Sequence, residues 1–229
     1  FIPKRDEFEI FATMEPAKEV GGDFYDFYIV NGTHLVFVIA DVSGKGVPAA
    51  LFMVIAKTLI KNHALQGKTP ADVLTNVNNQ LCENNDAGMF VTVFMGMIEL
   101  ATGKLTFANA GHNQPLLEHE GQYAWFNEKP NFVLAGMENI RYRNHERQLA
   151  PNDRLYLYTD GVTEALNPAL ELFSDPRLLQ TLNDTVSKRP NIHALLTQVR
   201  ESIRAFANGA EQADDITMMA IDWFSQTKR

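Results

Sequence analysis

Residues 23–41 read DFYDFYIVNGTHLVFVIAD. Two β-rich runs, Phe24 to Val30 and Leu35 to Ala40, flank Asn31-Gly32. Asn-Gly is the strongest short hairpin signal, because both residues accept the positive φ of a tight two-residue turn. The first run is rich in Phe, Tyr and Ile, and the second is apolar throughout. Folding back at the turn puts Asp23 and Asp41 at the same end of the hairpin.

Outward from that hairpin, Asp41-Val-Ser-Gly-Lys-Gly46 reads as a loop. Pro48 opens a helix to about His63, apolar on most sides through Ala49 to Ala56, which is expected to be buried. A second helix runs from Pro70 to about Asn85, with Val73, Leu74, Val77 and Leu81 at helical spacing. Strand signals resume at Met89 to Leu100, Leu105 to Asn109, Pro115 to Leu117, Tyr123 to Phe126 and Arg154 to Tyr158. Two helical stretches follow, Pro176 to Thr185 and Ile192 to Ala207, and Ile216 to Trp223 is a last strand. This order lacks the βαβα alternation of a doubly wound fold. It predicts an α+β domain of mainly antiparallel sheets covered by helices.

With 229 residues, 45% of them hydrophobic, the chain buries a core without staples. Acidic residues outnumber basic ones 28 to 20, for a net charge of -8. That excludes nucleic acid as a partner, since phosphate-backbone affinity comes from Lys and Arg clusters. The one cysteine, Cys82, reads as a structural mid-helix residue; it cannot form an internal disulfide, which fits a cytoplasmic protein. Val47 to Ala56 is the longest apolar stretch and is too short to cross a bilayer, so no membrane contact is expected of this domain. The chain starts at Phe1 rather than Met, and residues 1–229 read as a single domain excised from a longer, sensor-containing protein.

Acidic residues stand at the ends of the apolar runs: Asp23 before the first, Asp41 after LVFVIA, Asp160 after RLYLYT, and Asp214-Asp215 before ITMMAI. With the final strand antiparallel to the others, these acids gather on one sheet edge. Two carboxylates about 4 Å apart repel by roughly 4 kcal/mol at an effective dielectric of 20, so such a group needs cations. Oxygen ligands point to Mg²⁺ or Mn²⁺ rather than zinc. Taken singly, each Asp is also an ordinary turn residue. Gly44-Lys-Gly-Val-Pro-Ala49 matches G-x-G-x-x-A between a strand and a helix. The second acid-tipped strand of a dinucleotide site is missing, and Pro48 stands where N–H groups face a pyrophosphate.

Five blocks occur in order: Pro16-Ala-Lys-Glu-Val-Gly-Gly-Asp-Phe-Tyr-Asp26, Asp41-Val-Ser-Gly-Lys-Gly-Val-Pro-Ala-Ala50, Ala108-Asn-Ala-Gly-His-Asn113, Thr159-Asp-Gly-Val-Thr-Glu164 and Asp214-Asp-Ile-Thr217. Together they closely resemble the bacterial stage-II-sporulation-E and sigma-regulator branch of the metal-dependent type 2C protein phosphatases. The resemblance implies a β-sandwich of two antiparallel sheets flanked by helices. It implies removal of phosphate from phosphoserine or phosphothreonine by a water activated by two Mn²⁺ or Mg²⁺ ions. By similarity, Asp41 bridges the metals, the Val42 carbonyl joins the shell, and Asp160 and Asp214 are further ligands, with Asp215 less so. Asp23 matches an acid that holds metal-bound water, and Lys18 a basic residue for the phosphate. Ser43 stands where many eukaryotic relatives carry a proton-donating His; a metal-bound water is the expected donor here, and His112 is the other candidate, or else a turn histidine satisfied by backbone. The implied partner is a phosphorylated anti-sigma-factor antagonist, with homodimerisation through a region upstream. A catalytically silent module that binds a regulatory partner is the alternative, and loss of a ligand acid would mark it.

Overall fold

The computed structural model describes residues 5–83 and 85–225. Its strands form two five-stranded sheets in which neighbouring strands all pair antiparallel. One sheet has the order β2 (Phe24–Val30), β3 (His34–Val42), β4 (Val91–Glu99), β5 (Lys104–Ala110), β8 (His145–Gln148). The other has the order β1 (Phe8–Glu15), β10 (Ile216–Trp223), β9 (Arg154–Tyr158), β6 (Leu116–His119), β7 (Gln122–Trp125). Helices α1 (Val47–Ala64) and α2 (Pro70–Cys82) cover the outer face of the first sheet. The outer face of the second is covered by α3 (Ser174–Thr185) and α4 (Ile192–Ala207). The expected α+β sandwich is therefore the observed architecture.

Strand β3 shows why its stretch from Leu35 to Ala40 is apolar at every position. Leu35, Phe37 and Ile39 face the space between the sheets, whereas Val36, Val38, Ala40 and Val42 face α1 and α2. With both faces covered, side-chain alternation leaves no position for a polar residue. Strand β10 repeats the pattern: Met219, Ile221 and Trp223 point between the sheets, and Ile216, Met218 and Ala220 point to α3 and α4. Its one charged residue, Asp222, receives two bonds from Arg154 on β9 at 2.5 and 2.8 Å, and both residues are buried. Breaking a buried pair of this kind by removing one partner costs about 3–5 kcal/mol.

Four sequence expectations are corrected here. Strand β3 continues through Asp41 and Val42, which pair with Thr92 and Val91, so the loop begins only after Val42. Strands β1 and β8 were not expected; β8 (HERQ) has no apolar residue and lies at a sheet edge, where packing asks for none. Cys82 is the last residue of α2 rather than mid-helix, half-buried, with its thiol pushed up by burial and Glu138. Helix α1 buries only Ala49, Phe52, Ala56, Ile60 and Ala64, and leaves Val47, Leu51, Val54 and Ile55 exposed. A helix lying on one sheet has one covered face, however apolar the rest of it is.

Candidate active site

The acids do come together, although across both sheets rather than along one sheet edge. Asp41 ends β3 in the first sheet; Asp160 follows β9, and Asp214 and Asp215 precede β10, in the second. The sandwich brings these ends to one side because β9 and β10 run antiparallel, so that the finish of one lies beside the start of the other. Asp160 opens a short 3-10 turn, Asp160–Val162, instead of a bare loop.

Glycines let the segments approach. A Cβ on Gly161 would lie 2.0 Å from the Asp215 carbonyl oxygen, and one on Gly21 would lie 2.0 Å from Asp215 Oδ2. Asp215 occupies that space to hold the 17–23 loop. Its Oδ1 accepts the N–H of Ala17 at 2.8 Å, and its Oδ2 accepts those of Gly22 at 2.9 Å and Asp23 at 3.4 Å. Asp23, 2% exposed, takes hydroxyl hydrogen bonds from Thr159 at 2.7 Å and Thr217 at 2.5 Å on the opposite sheet. The Thr159 hydroxyl oxygen in turn accepts the Thr217 N–H at 3.0 Å. These two threonines, which lock the first sheet's acid to the second sheet, were not singled out in the sequence. Their position immediately beside Asp160 and two residues after Asp215 is the signal that was there.

Charge accumulates at this end. Burial, and then the charges of Asp160 and Asp214, raise the Asp41 carboxyl to about 7. Burial and the Asp41 charge raise Asp23 to about 9 against the pull of the two threonines, so Asp23 keeps its proton at neutral pH. Asp160 is also raised, by burial first and then by Glu164 and Asp214. Lys45 meets the cluster, with Nζ 3.1 Å from Asp214 Oδ2 and donating to the Ala213 carbonyl at 2.6 Å. A small pocket here is lined by Lys18, Gly22, Asp41, Lys45, Asp214 and Asp215 among others. Lys18 is exposed on its rim.

Among the described residues, no three His, Cys, Asp or Glu side chains stand close enough to hold a metal ion as placed. Their oxygens are turned to protein donors: Asp214 to Lys45, Asp215 to backbone N–H groups, Asp23 to threonines. The donor set nevertheless suits a hard divalent cation. It consists of carboxylate oxygens and the Val42 carbonyl, whose oxygen lies beside Gly22, with neither histidine nor thiolate. Partly buried like charges of this kind carry a repulsion that a cation relieves.

His112 belongs to the scaffold, not to proton transfer. It is 4% exposed, its Nδ1 lies 2.9 Å from the Thr92 hydroxyl, and its N–H and C=O are both bonded to the Asn109 side chain. Burial lowers it to about 4, so the ring is neutral rather than a charged acid at pH 7, and its buried Nε2 meets no partner among the described residues. Ser43, in the place of the expected histidine, accepts the Phe90 N–H at 2.8 Å. Arg147 bonds Glu128 and the Phe126 carbonyl and lies 4.4 Å over the Phe126 ring.

The model of the family described as stage II sporulation protein E (SpoIIE) matches residues 31–224. This chain belongs to that family. Its relatives include protein IcfG of Synechocystis, 30% identical over 96% of this chain and 38% of IcfG, and phosphoserine phosphatase RsbU of Bacillus subtilis, 32% identical over 71% of this chain and 49% of RsbU. The chain thus spans half or less of the length of these relatives. Among solved structures, the RsbU and RsbW domains of a Mycobacterium tuberculosis protein superpose with a TM-score of 0.83 at 24% identity, covering 97% of this chain and 61% of that one. The SiaA-PP2C domain of Pseudomonas aeruginosa gives 0.82 at 22% identity, covering 93% and 85%. These likenesses establish the fold. Two further structures of the same fold contain metal: RsbX in complex with magnesium, and the PstP catalytic domain with two manganese ions.

Proposed function

We propose that this chain is the catalytic domain of a metal-dependent protein serine/threonine phosphatase, using Mn²⁺ or Mg²⁺ on a phosphoserine or phosphothreonine of a regulatory protein. The regulatory protein in this proposal is a phosphorylated anti-sigma-factor antagonist, and the setting is the cytoplasm. One observation carries the reading: Asp41 of the first sheet lines one pocket with Asp214 and Asp215 of the second, and Asp160 precedes Gly161, which packs against the Asp215 carbonyl. Folding does not need that arrangement, and it costs stability. The relative named phosphoserine phosphatase supports the substrate class.

In this reading Asp41, Asp160, Asp214 and the Val42 carbonyl are the groups that would hold two ions. Bound divalent ions supply charge neutralisation and a nucleophilic water at neutral pH for in-line attack on phosphorus. The chain's own groups do the rest. Asp23, fixed by Thr159 and Thr217, is held against Asp41, where it would position a water beside that carboxylate. Asp215 keeps the 17–23 loop closed on the site and thereby sets the position of Lys18. Lys18 and Lys45 offer positive charge to the phosphoryl oxygens, where charge spreads in the transition state. No side-chain nucleophile is required.

The test is hydrolysis of p-nitrophenyl phosphate and of phosphoserine peptides. Turnover with millimolar Mn²⁺, its loss on chelation and its loss in Asp41→Asn are the expected results. Calorimetric binding of Mn²⁺ without any turnover would overturn the proposal in favour of a silent binding module.

A further inference from the structure

A larger cavity, of about 480 Å³, opens beside the acid pocket, and the two share Lys45 and Asp214 as a common wall. Its sides are built from the last two turns of α4, the 209–214 loop and a short lobe between residues 163 and 173. The floor is apolar, with Leu166, Leu172, Ile203 and Ala207, and charged groups of both signs stand around it.

The lobe is a rigid wall. Asn167 Oδ1 accepts the N–H of Ala169 at 3.0 Å and of Glu171 at 2.9 Å. Leu166 and Leu172 form a β-bridge, Phe173 donates to the Ala165 carbonyl at 2.8 Å, and Ser174 donates to the Thr163 carbonyl at 2.7 Å. Yet the lobe holds Leu172 half exposed, 48%, at the cavity. On the facing side Arg200 gives its Nη1 to Glu15 at 3.0 Å, and Arg204 reaches the same carboxylate at 3.1 Å, so the charged rim on that side is held in place.

We propose that this cavity is the specificity pocket of the phosphatase. It receives a short substrate segment flanking the phosphoserine, with one large apolar side chain on the Leu166–Leu172–Ile203 floor. The inference rests on the phosphatase reading of the adjacent site. Two features favour a protein segment over a free small molecule. The cavity adjoins the pocket that takes the phosphoryl group, so its occupant is within reach of the same chain. Its apolar floor and mixed-charge rim have the anatomy of a protein interface.

The experiment uses phosphoserine peptides that differ only in one flanking residue, Leu or Phe against Ala or Asp. Both kcat/KM and binding by fluorescence anisotropy are measured, with p-nitrophenyl phosphate as a substrate that does not reach the cavity. The expected result is a preference of about 10-fold or more for the apolar peptides. Leu172→Asp and Ala207→Trp should abolish that preference while p-nitrophenyl phosphate turnover stays within about 2-fold of the parent. Leu172 is exposed enough for its variant to fold, and circular dichroism checks both. Turnover of p-nitrophenyl phosphate with no flanking preference, or with a preference that survives both substitutions, overturns the pocket and leaves the phosphatase standing. Should p-nitrophenyl phosphate not be hydrolysed while apolar peptides still bind at least 10-fold tighter, and lose this in Leu172→Asp, the phosphatase reading fails and the pocket stands.

Discussion

Along β3 the environment changes within two residues. Ile39 is fully buried between two sheets, and Asp41 faces the charges of three other acids. The strand interior is built for stability: each large apolar side chain buried there contributes about 1.5–3 kcal/mol. The strand end gives stability up, since burial and like charge hold Asp41 and Asp23 far above the usual carboxylate range. The difference separates what holds the fold from what the fold is for, and each half can be disturbed alone.

Asp41→Asn disturbs the end. Turnover should fall on the order of 10³-fold, while the metal-free protein becomes more resistant to urea, because the substitution removes a charge the native state disfavours. A lower urea midpoint for the variant in the absence of metal would contradict the electrostatic account of the site.

Phe94→Ala disturbs the interior. Phe94 is 1% exposed and packs on Phe37, Phe107 and Phe126 with ring centroids 6.4, 5.3 and 6.2 Å away. A loss of roughly 3–5 kcal/mol is expected, read as a lower urea midpoint. Folded enzyme should keep its kcat, since the cavity lies away from the acids. A proportionate fall in kcat would show that interior and end are not separable.

His112 sits between the two regimes, joining β4 near Asp41's partner Thr92 to the turn after β5. Its native value of about 4 lies below the ordinary 6.5, so between these values the unfolded chain binds the proton and the native protein does not. This stabilising contribution is complete above about pH 6.5 and is lost as pH falls toward 4, by about 3 kcal/mol. His112→Gln should flatten this part of the stability profile. An unchanged slope between pH 4 and 6.5 would mean that His112 does not titrate as its burial requires.

Most of the interior was legible in the sequence, for a physical reason. LVFVIA, RLYLY and ITMMAI are nearly all apolar because helices cover the outer face of each sheet, and Asn31-Gly32 fixes the register of β2 on β3. Helix α4 was read to the residue because its caps are local: the Asn191 side chain accepts the Ala194 N–H, and Asn208 is left-handed. The acids were legible as strand-end residues, but not as a group spread over two sheets, because strand order is a long-range property. Thr159 and Thr217 showed in the sequence only by their place beside the acids, and the backbone-holding role of Asp215 not at all: each depends on a partner more than 50 residues away. Strand β8 was missed because an edge strand asks little of its side chains.

Helix α1 gives the smallest effect and the closest comparison, between two neighbours in the chain. Phe52 is 7% exposed against the first sheet, whereas Leu51, equally apolar, is 63% exposed. Apolar composition alone predicts equal costs for truncating the two. Burial predicts that Phe52→Ala loses about 3–5 kcal/mol and that Leu51→Lys stays within about 0.5 kcal/mol of the parent. Val47, Leu51, Val54 and Ile55 fall on one side of the helix at spacings of three and four, away from the buried Ala49, Phe52, Ala56 and Ile60. Urea melts of the two variants at one dilute protein concentration decide the matter. A loss of more than about 2 kcal/mol in Leu51→Lys under those conditions would mean that this face is covered in the folded chain, and that α1 is buried on both sides as its composition alone suggests.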